Sequence, residues 1–107
     1  MKIEHFANFN VAGFTYYEGA LIFNKLKIGK QLELKLEEDN KFDARAVALY
    51  YQEYKLGFIP KSDNRVIHKL LKIGMHKNIR AIIQQIDARE HPESQIRVAI
   101  HLINPDL

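Results

Sequence analysis

A chain of 107 residues with 47% hydrophobic and 27% charged residues has the size and composition of one folded domain, and these values exclude an intrinsically disordered protein. The absence of cysteine excludes disulfides and thiolate metal sites. The N-terminus lacks the apolar core of a signal peptide, and no window approaches the roughly 18 apolar residues of a membrane span. We therefore expect a single cytoplasmic domain over residues 1–107, with no membrane contact.

The charges are unevenly distributed along the chain. The net charge is +3, but the segment from Lys55 to Arg80 holds seven Lys and Arg residues against one acidic residue, Asp63. Acidic residues outnumber basic ones on either side of it. Such a basic segment favours an anionic partner such as nucleic acid, because phosphate contacts dominate that kind of affinity. A solvated helix face with incidental lysines explains the same charges, so charge alone leaves both interpretations open.

The N-terminal part of the chain predicts two strands and a short helix. Phe9 to Tyr17 is rich in aromatic and β-branched residues around Gly13, which favours a strand with a bulge or a close backbone approach. A short helix is predicted around Ala20 to Leu26. Gln31 to Glu38 alternates between leucine and mostly charged residues, as a half-buried strand does.

The middle of the chain predicts a hairpin followed by a helix. Two apolar runs, Ala46 to Tyr51 and Lys55 to Ile59, are separated by the polar QEY and read as paired strands. Beyond them, Ser62 or Asp63 can cap a helix whose apolar residues recur at helical spacing until Gly74 ends it.

The C-terminal part predicts two more strands. Gln95 to Ile103 alternates cleanly, and Asn78 to Ile86 is its expected partner across the DAREHPES turn. Many short strands with one or two short helices predict a mainly β fold. We expect a small OB-like β-barrel of about six strands.

Catalytic and metal-binding signatures are absent from the sequence. The five histidines fall at no HxxxH or HExxH spacing, and no GxxxxGK[ST], GxGxxG or GxSxG motif occurs. We therefore expect neither an enzyme nor a metal site, and no cofactor.

A polar stretch, EEDNKFDARAVALYY from residue 37 to 51, immediately precedes an apolar run. Asn40 and Asp43 can bond nearby backbone amides and simply shape a turn. Phe42, however, lies between polar neighbours, and one of Tyr16 and Tyr17 is expected to point away from the core. Exposed aromatic residues beside basic ones are the usual platform for single-stranded bases. Core packing and base stacking both remain open for each aromatic residue.

Three blocks of the sequence resemble the HIRAN domain family. They are VAGFTYYEG, LKIGKQLELKLEEDNKFDARAVAL and KLGFIPKS, which occur in the family's order and with natural spacing. The resemblance covers about residues 9 to 74, and DNKFDARAV is its most specific part. It implies an OB-like barrel that binds DNA and, as in members attached to SWI/SNF-class translocases, captures a single-stranded 3′ end.

Carried over by motif position, the resemblance assigns roles to individual residues. Tyr16 and Phe42 would contact the terminal bases, with Tyr17 beside them. Asp43 would accept a hydrogen bond from the free 3′ hydroxyl, Asn40 would help shape the pocket or bond the end nucleotide, and Lys61 would meet a phosphate. From charge alone, we expect a basic face that contains Lys61, Arg65, Lys69 and Arg80 to supply general attraction to the strand.

The sequence also departs from the family pattern. Thr15 replaces an arginine before the tyrosine pair, and Phe42 replaces the more usual tyrosine. Only His91 stands in the last hairpin loop, where end-binding relatives carry an aromatic residue. These departures leave a second hypothesis open, namely a protein-interaction or adaptor domain of the same fold. If the domain instead binds DNA, a helicase, translocase or nuclease is the expected protein partner.

Overall fold

Six strands, one α-helix and four short 3-10 helices make up the computed structural model, which describes residues 1–107. The strands are β1 (Lys2–Asn10), β2 (Gln31–Leu36), β3 (Val47–Tyr51), β4 (Tyr54–Phe58), β5 (Ile79–Ile86) and β6 (Ile96–Asn104). The α-helix is α1 (Arg65–Lys72). The 3-10 helices are Phe14–Tyr16, Gly19–Lys25, His76–Asn78 and Pro92–Ser94. None of the helices has both the length and the apolar character needed to cross a membrane.

All six strands belong to one antiparallel sheet in the order β1-β6-β5-β2-β3-β4. The mainly β prediction is therefore confirmed. The sheet is not closed into a barrel, because β1 and β4 form no ladder. The chain beyond β1 pairs with β4 through an isolated bridge between Ala12 and Phe58 rather than through a ladder. The barrel and its OB-like character are thus only partly supported.

The alternating strands place their apolar residues in one core, as their sequence pattern predicts. In β6, Ile96, Val98 and Ile100 are buried, while Arg97 and His101 are half-buried. This core cluster also includes residues of α1, so the helix covers the apolar side of the sheet. A small domain needs such a continuous core, since it buries a smaller fraction of its surface than a large one.

The strand predicted over Phe9 to Tyr17 is wrong. β1 lies earlier in the chain, over Lys2–Asn10, and its bulge falls between His5 and Ala7. Gly13 has a φ of 73° and starts the 3-10 turn Phe14–Tyr16. The left-handed backbone at Gly13 ends the extended conformation, and a β-branched and aromatic composition cannot reveal that reversal.

Two smaller predictions about helices also differ from the structure. The short helix expected around Ala20 to Leu26 is present as a 3-10 helix with non-helical backbone angles at Ile22. The α-helix begins later than predicted, and the residue at its N-cap position is Asn64 rather than Ser62 or Asp63. Gly74 follows the helix with a φ of 85°, consistent with its predicted role at the helix end.

A close backbone contact joins the segment after β1 to β4. Ala12 and Phe58 exchange two N–H···O bonds of 2.8 and 2.9 Å. Gly57 precedes this bridge, has a φ of 147°, and approaches Ala12 so closely that a Cβ atom would lie 2.3 Å from the Ala12 carbonyl oxygen. Only glycine fits this position, and the contact brings the Phe14–Tyr16 turn to the end of β4.

The substitution Gly57→Ala tests this contact. We expect it to lower the free energy of unfolding by about 3 kcal/mol, because it adds a steric clash to a strained backbone angle. Gly74→Ala is the matched control, since Gly74 also has a positive φ but open space around it, and strain alone should cost about 1 kcal/mol. Urea denaturation measures both values. Equal losses in the two variants would show that the chain relaxes away from the clash.

Candidate nucleic-acid interface

A pocket of about 280 Å³ lies where the turn after β1, the β2–β3 loop and the end of β4 meet. Its polar and aromatic walls contain six of the ten candidate residues that the sequence indicated. Those six are Tyr16, Tyr17, Asn40, Phe42, Asp43 and Lys61. The remaining lining residues are Ala12, Gly13, Ala46, Phe58 and Ile59. A larger groove of about 350 Å³ near Leu70, Met75 and Leu102 contains none of the predicted residues.

The Asn40 side chain organises the β2–β3 loop. Its Oδ1 accepts hydrogen bonds from the backbone N–H groups of Phe42 at 2.8 Å and Asp43 at 3.0 Å. Its Nδ2 donates to Glu37 Oε1 at 3.2 Å. This is the side-chain to backbone turn expected of an Asn residue, and it fixes the direction in which Phe42 and Asp43 leave the backbone.

Asp43 is held by donors on both carboxylate oxygens. Its Oδ1 accepts from the Arg45 N–H at 2.9 Å, and its Oδ2 accepts from Asn64 Nδ2 at 2.8 Å. Asn64 is 0% exposed and is the one buried polar side chain of the core region. No local pattern in the sequence indicates this role of Asn64, because its contact with Asp43 joins positions 21 residues apart.

Two aromatic side chains at the pocket mouth have little contact with the protein. Phe42 is 88% exposed and Tyr16 is 80% exposed, so core packing explains neither of them. Tyr17 differs, because it is 37% exposed and its ring packs edge-on against Phe58 with centroids 5.5 Å apart. The exposed rings of Tyr16 and Phe42 are available for stacking with a planar ligand.

Lys55 joins the aromatic side of the pocket to its loop. Its Nζ lies 4.5 Å from the centroid of the Tyr17 ring and 4.3 Å from that of Phe58. The same ammonium group forms an ion pair with Glu37, which also accepts from Asn40. The sequence placed Lys55 in a strand motif but gave no indication of this role, since all three contacts depend on the folded chain.

Lys61 lies at the open side of the pocket. Its Nζ donates to the Phe42 carbonyl oxygen at 2.9 Å, and its side chain is exposed. An ammonium group has three donors, so this bond leaves two of them for a ligand. The position is suited to an anionic group at the pocket mouth.

The other four predicted residues, Arg65, Lys69, Arg80 and His91, lie outside the pocket lining. Arg65 is exposed at the start of α1. His91 uses its Nδ1 to accept from the Glu93 N–H at 3.3 Å, and Glu93 Oε2 accepts from the Gly13 N–H at 3.0 Å. The last hairpin loop therefore supports the turn that carries Tyr16, and Glu93 is a further residue whose role the sequence did not indicate.

The basic face of α1 is free of acidic partners. The two ion pairs of the chain are Lys55–Glu37 and Arg89–Asp87. In the second pair, hydrogen bonds from the Arg89 side chain and backbone lower the pKa of Asp87. Arg65, Lys69 and Lys72 are exposed and take part in neither. Their charges are therefore available to a polyanion.

Comparison with known families identifies the domain. A family model described as the HIRAN domain matches residues 5–102. The chain belongs to the HIRAN domain family. A crystal structure of a protein from Lactobacillus plantarum has the same fold, with a TM-score of 0.80 and 19% sequence identity over 94% of this chain and 95% of that one. No match was found among curated proteins.

Membership in the HIRAN family is consistent with a DNA-binding module. The resemblance read from the three sequence blocks is thereby confirmed, and the match extends beyond them into β6. The pocket lies within the matched residues, and the DNKFDARAV block contributes its polar loop.

The substitution Asn40→Ala tests how the pocket loop is held. It removes the acceptor of two backbone N–H groups, and we expect it to lower the free energy of unfolding by about 1–2 kcal/mol. Asn24→Ala is the matched control, because Asn24 is exposed and its replacement should change stability by less than about 0.5 kcal/mol. Chemical denaturation of both variants provides the measurement. Indistinguishable values would mean that other contacts hold the loop.

Proposed function

We propose that this HIRAN domain is a single-stranded DNA-binding module that captures the free 3′ end of a strand in the pocket. The observation that carries the proposal is the pairing of two highly exposed aromatic residues, Tyr16 and Phe42, with the anchored carboxylate of Asp43. Aromatic faces provide affinity for bases of any sequence, and a fixed acceptor reads a hydroxyl group. We propose a binding role rather than an enzymatic one.

Base stacking supplies the affinity in this proposal. Each base stacked on an aromatic side chain contributes about 1–3 kcal/mol, largely independent of sequence. Tyr16 and Phe42 meet the terminal bases, and Tyr17 completes that side of the pocket while its ring remains packed on Phe58. Phe42 retains the stacking face of the tyrosine that is usual at this position and loses only the hydroxyl.

Asp43 supplies the specificity. A carboxylate has about four lone-pair sites, and two of them are occupied by the N–H donors of Arg45 and Asn64. The remaining sites accept a hydrogen bond from a 3′ hydroxyl. A 3′ phosphate has like charge and is repelled, so the same residue attracts one chain end and rejects another.

Cations around the pocket supply general attraction to the strand. Lys61 retains two donors for a phosphate, and Arg65, Lys69 and Lys72 continue the positive charge along the exposed side of α1. Each phosphate contact on a single strand contributes about −0.7 to the slope of log K against log salt concentration. Because Thr15 occupies the position of an arginine, we expect a shallower slope than in relatives that carry that arginine.

Fluorescence anisotropy with short 5′-labelled strands tests the proposal. We expect the domain to bind a 3′-hydroxyl strand at least tenfold more tightly than a 3′-phosphate strand or a blunt duplex, with affinity falling as salt is raised. Asp43→Ala should lose the hydroxyl preference because the acceptor is gone. Tight binding of both strands by the native domain would contradict end capture and leave a general DNA binder.

The outcome also separates the proposal from its alternative. No binding to any strand at low salt would favour the protein-interaction or adaptor domain, for which Thr15 and the position of His91 outside the pocket lining are the motivating observations. A lowered melting temperature of Asp43→Ala with an unchanged preference would make Asp43 a structural turn residue. If end capture holds, the proposed partner is a helicase, translocase or nuclease that acts at 3′ ends.

The substitution Phe42→Ala tests the stacking contact separately. We expect a loss of about 1–3 kcal/mol in the binding free energy of every single strand, with an unchanged melting temperature because the ring is almost fully exposed. Leu21→Ala is the matched control, since Leu21 is 79% exposed and lies outside the pocket. Titrations of both variants provide the comparison. Equal affinities of the two variants would exclude stacking on Phe42.

A further inference from the structure

Asn64 lies at a position where an asparagine side chain usually forms a different hydrogen bond. It is the N-cap residue of α1, and an Asn there usually accepts a hydrogen bond from a backbone N–H of the first turn. The side chain makes no such cap bond. Its Oδ1 is buried without a hydrogen-bond partner. An unsatisfied buried oxygen is unfavourable and rare in folded proteins, so its persistence requires an explanation.

The explanation lies in the other end of the same amide. Asn64 Nδ2 donates to Asp43 Oδ2 at 2.8 Å and to the Arg45 carbonyl oxygen at 2.9 Å. Both donors of the amide are used, and both point to the segment that contains the pocket carboxylate. The side chain is therefore committed to the loop of the pocket rather than to its own helix.

We infer that Asn64 is a positioning residue that holds the Asp43 carboxylate as a fixed acceptor and thereby determines the preference of the pocket for a hydroxyl over a phosphate end. The inference rests on the proposed function. Arg45 N–H anchors one carboxylate oxygen and Asn64 anchors the other. With one anchor removed, the carboxylate can rotate about the remaining bond, and its free lone pairs no longer hold a fixed direction toward the ligand.

The residue type follows from this role. Aspartate at position 64 has no donor and would place a second carboxylate against Asp43. Serine has one donor, which cannot satisfy both Asp43 and the Arg45 carbonyl oxygen. Leucine has nearly the same shape as asparagine without any donor, so it removes both bonds and leaves little cavity in a fully buried site.

The test is the ratio of dissociation constants for a 3′-phosphate and a 3′-hydroxyl strand. We expect Asn64→Leu to reduce this ratio at least fivefold while a strand whose 3′ end is blocked binds as before. In the Asp43→Ala background, Asn64→Leu should change the ratio no further, because Asn64 acts through Asp43. Such a double-mutant cycle separates positioning from a general loss of stability.

Asn78→Ala is the matched control. Asn78 is half-buried, and its amide, like that of Asn64, donates to a backbone carbonyl, that of Ile103 at 3.0 Å, but it lies outside the pocket lining. We expect Asn78→Ala to lower the free energy of unfolding and to keep the native ratio of the two dissociation constants. Asn64→Ala serves as the second variant if Asn64→Leu does not melt cooperatively above the assay temperature.

The outcomes distinguish this inference from the proposed function. If the native domain shows no preference for a 3′ hydroxyl, both the proposed function and this inference are wrong. A native preference that persists in a folded Asn64 variant overturns the inference alone, as does a further loss in the Asp43→Ala background. Unfolding of both Asn64 variants also overturns it, because Asn64 would then be required by the fold rather than by the pocket.

Discussion

The close approach of Gly57 to Ala12 is the constraint on which the pocket depends. A side chain at position 57 would collide with the Ala12 carbonyl oxygen, and without this contact the paired backbone bonds between Ala12 and Phe58 would be lost. Gly13 then reverses the backbone, so Tyr16 and Tyr17 lie beside the end of β4. Gly13 and Gly57 are therefore required by the backbone geometry, and they bring together walls of the pocket that are distant in sequence.

A chain of polar contacts makes these separate walls one unit. Lys55 lies over the Tyr17 ring and pairs with Glu37, which accepts from Asn40, whose side chain in turn holds the amides of the Asp43 loop. The ion pair is half-buried, where screening by solvent is weaker than at the surface. Movement of the aromatic wall is thus coupled to the orientation of the loop, and a ligand that touches both meets a preformed surface.

The sequence predicted the parts of the fold that depend on periodicity. Strict alternation located β2 and β6, and the helical spacing of apolar residues located α1, because burial of one face leaves that pattern in the chain. The strand over Phe9 to Tyr17 failed because one positive φ at Gly13 overrides local β preference. Six of the residues assigned by motif position line one pocket, whereas Lys55 and Asn64 contact partners 18 and 21 residues away, which no local pattern encodes.

In the proposed function, affinity and selectivity have different structural origins. The aromatic residues at its mouth are exposed and weakly held, so they can adjust to bases of different size, and their loss does not disturb the core. The carboxylate behind them is fixed by two donors, one from a fully buried side chain. A hydrogen bond discriminates only when its acceptor cannot turn to suit the wrong ligand. In the proposed function, the amide of Asn64 gives Asp43 that rigidity while its own oxygen stays unsatisfied, so discrimination between chain ends would come at a cost in stability at the helix N-terminus.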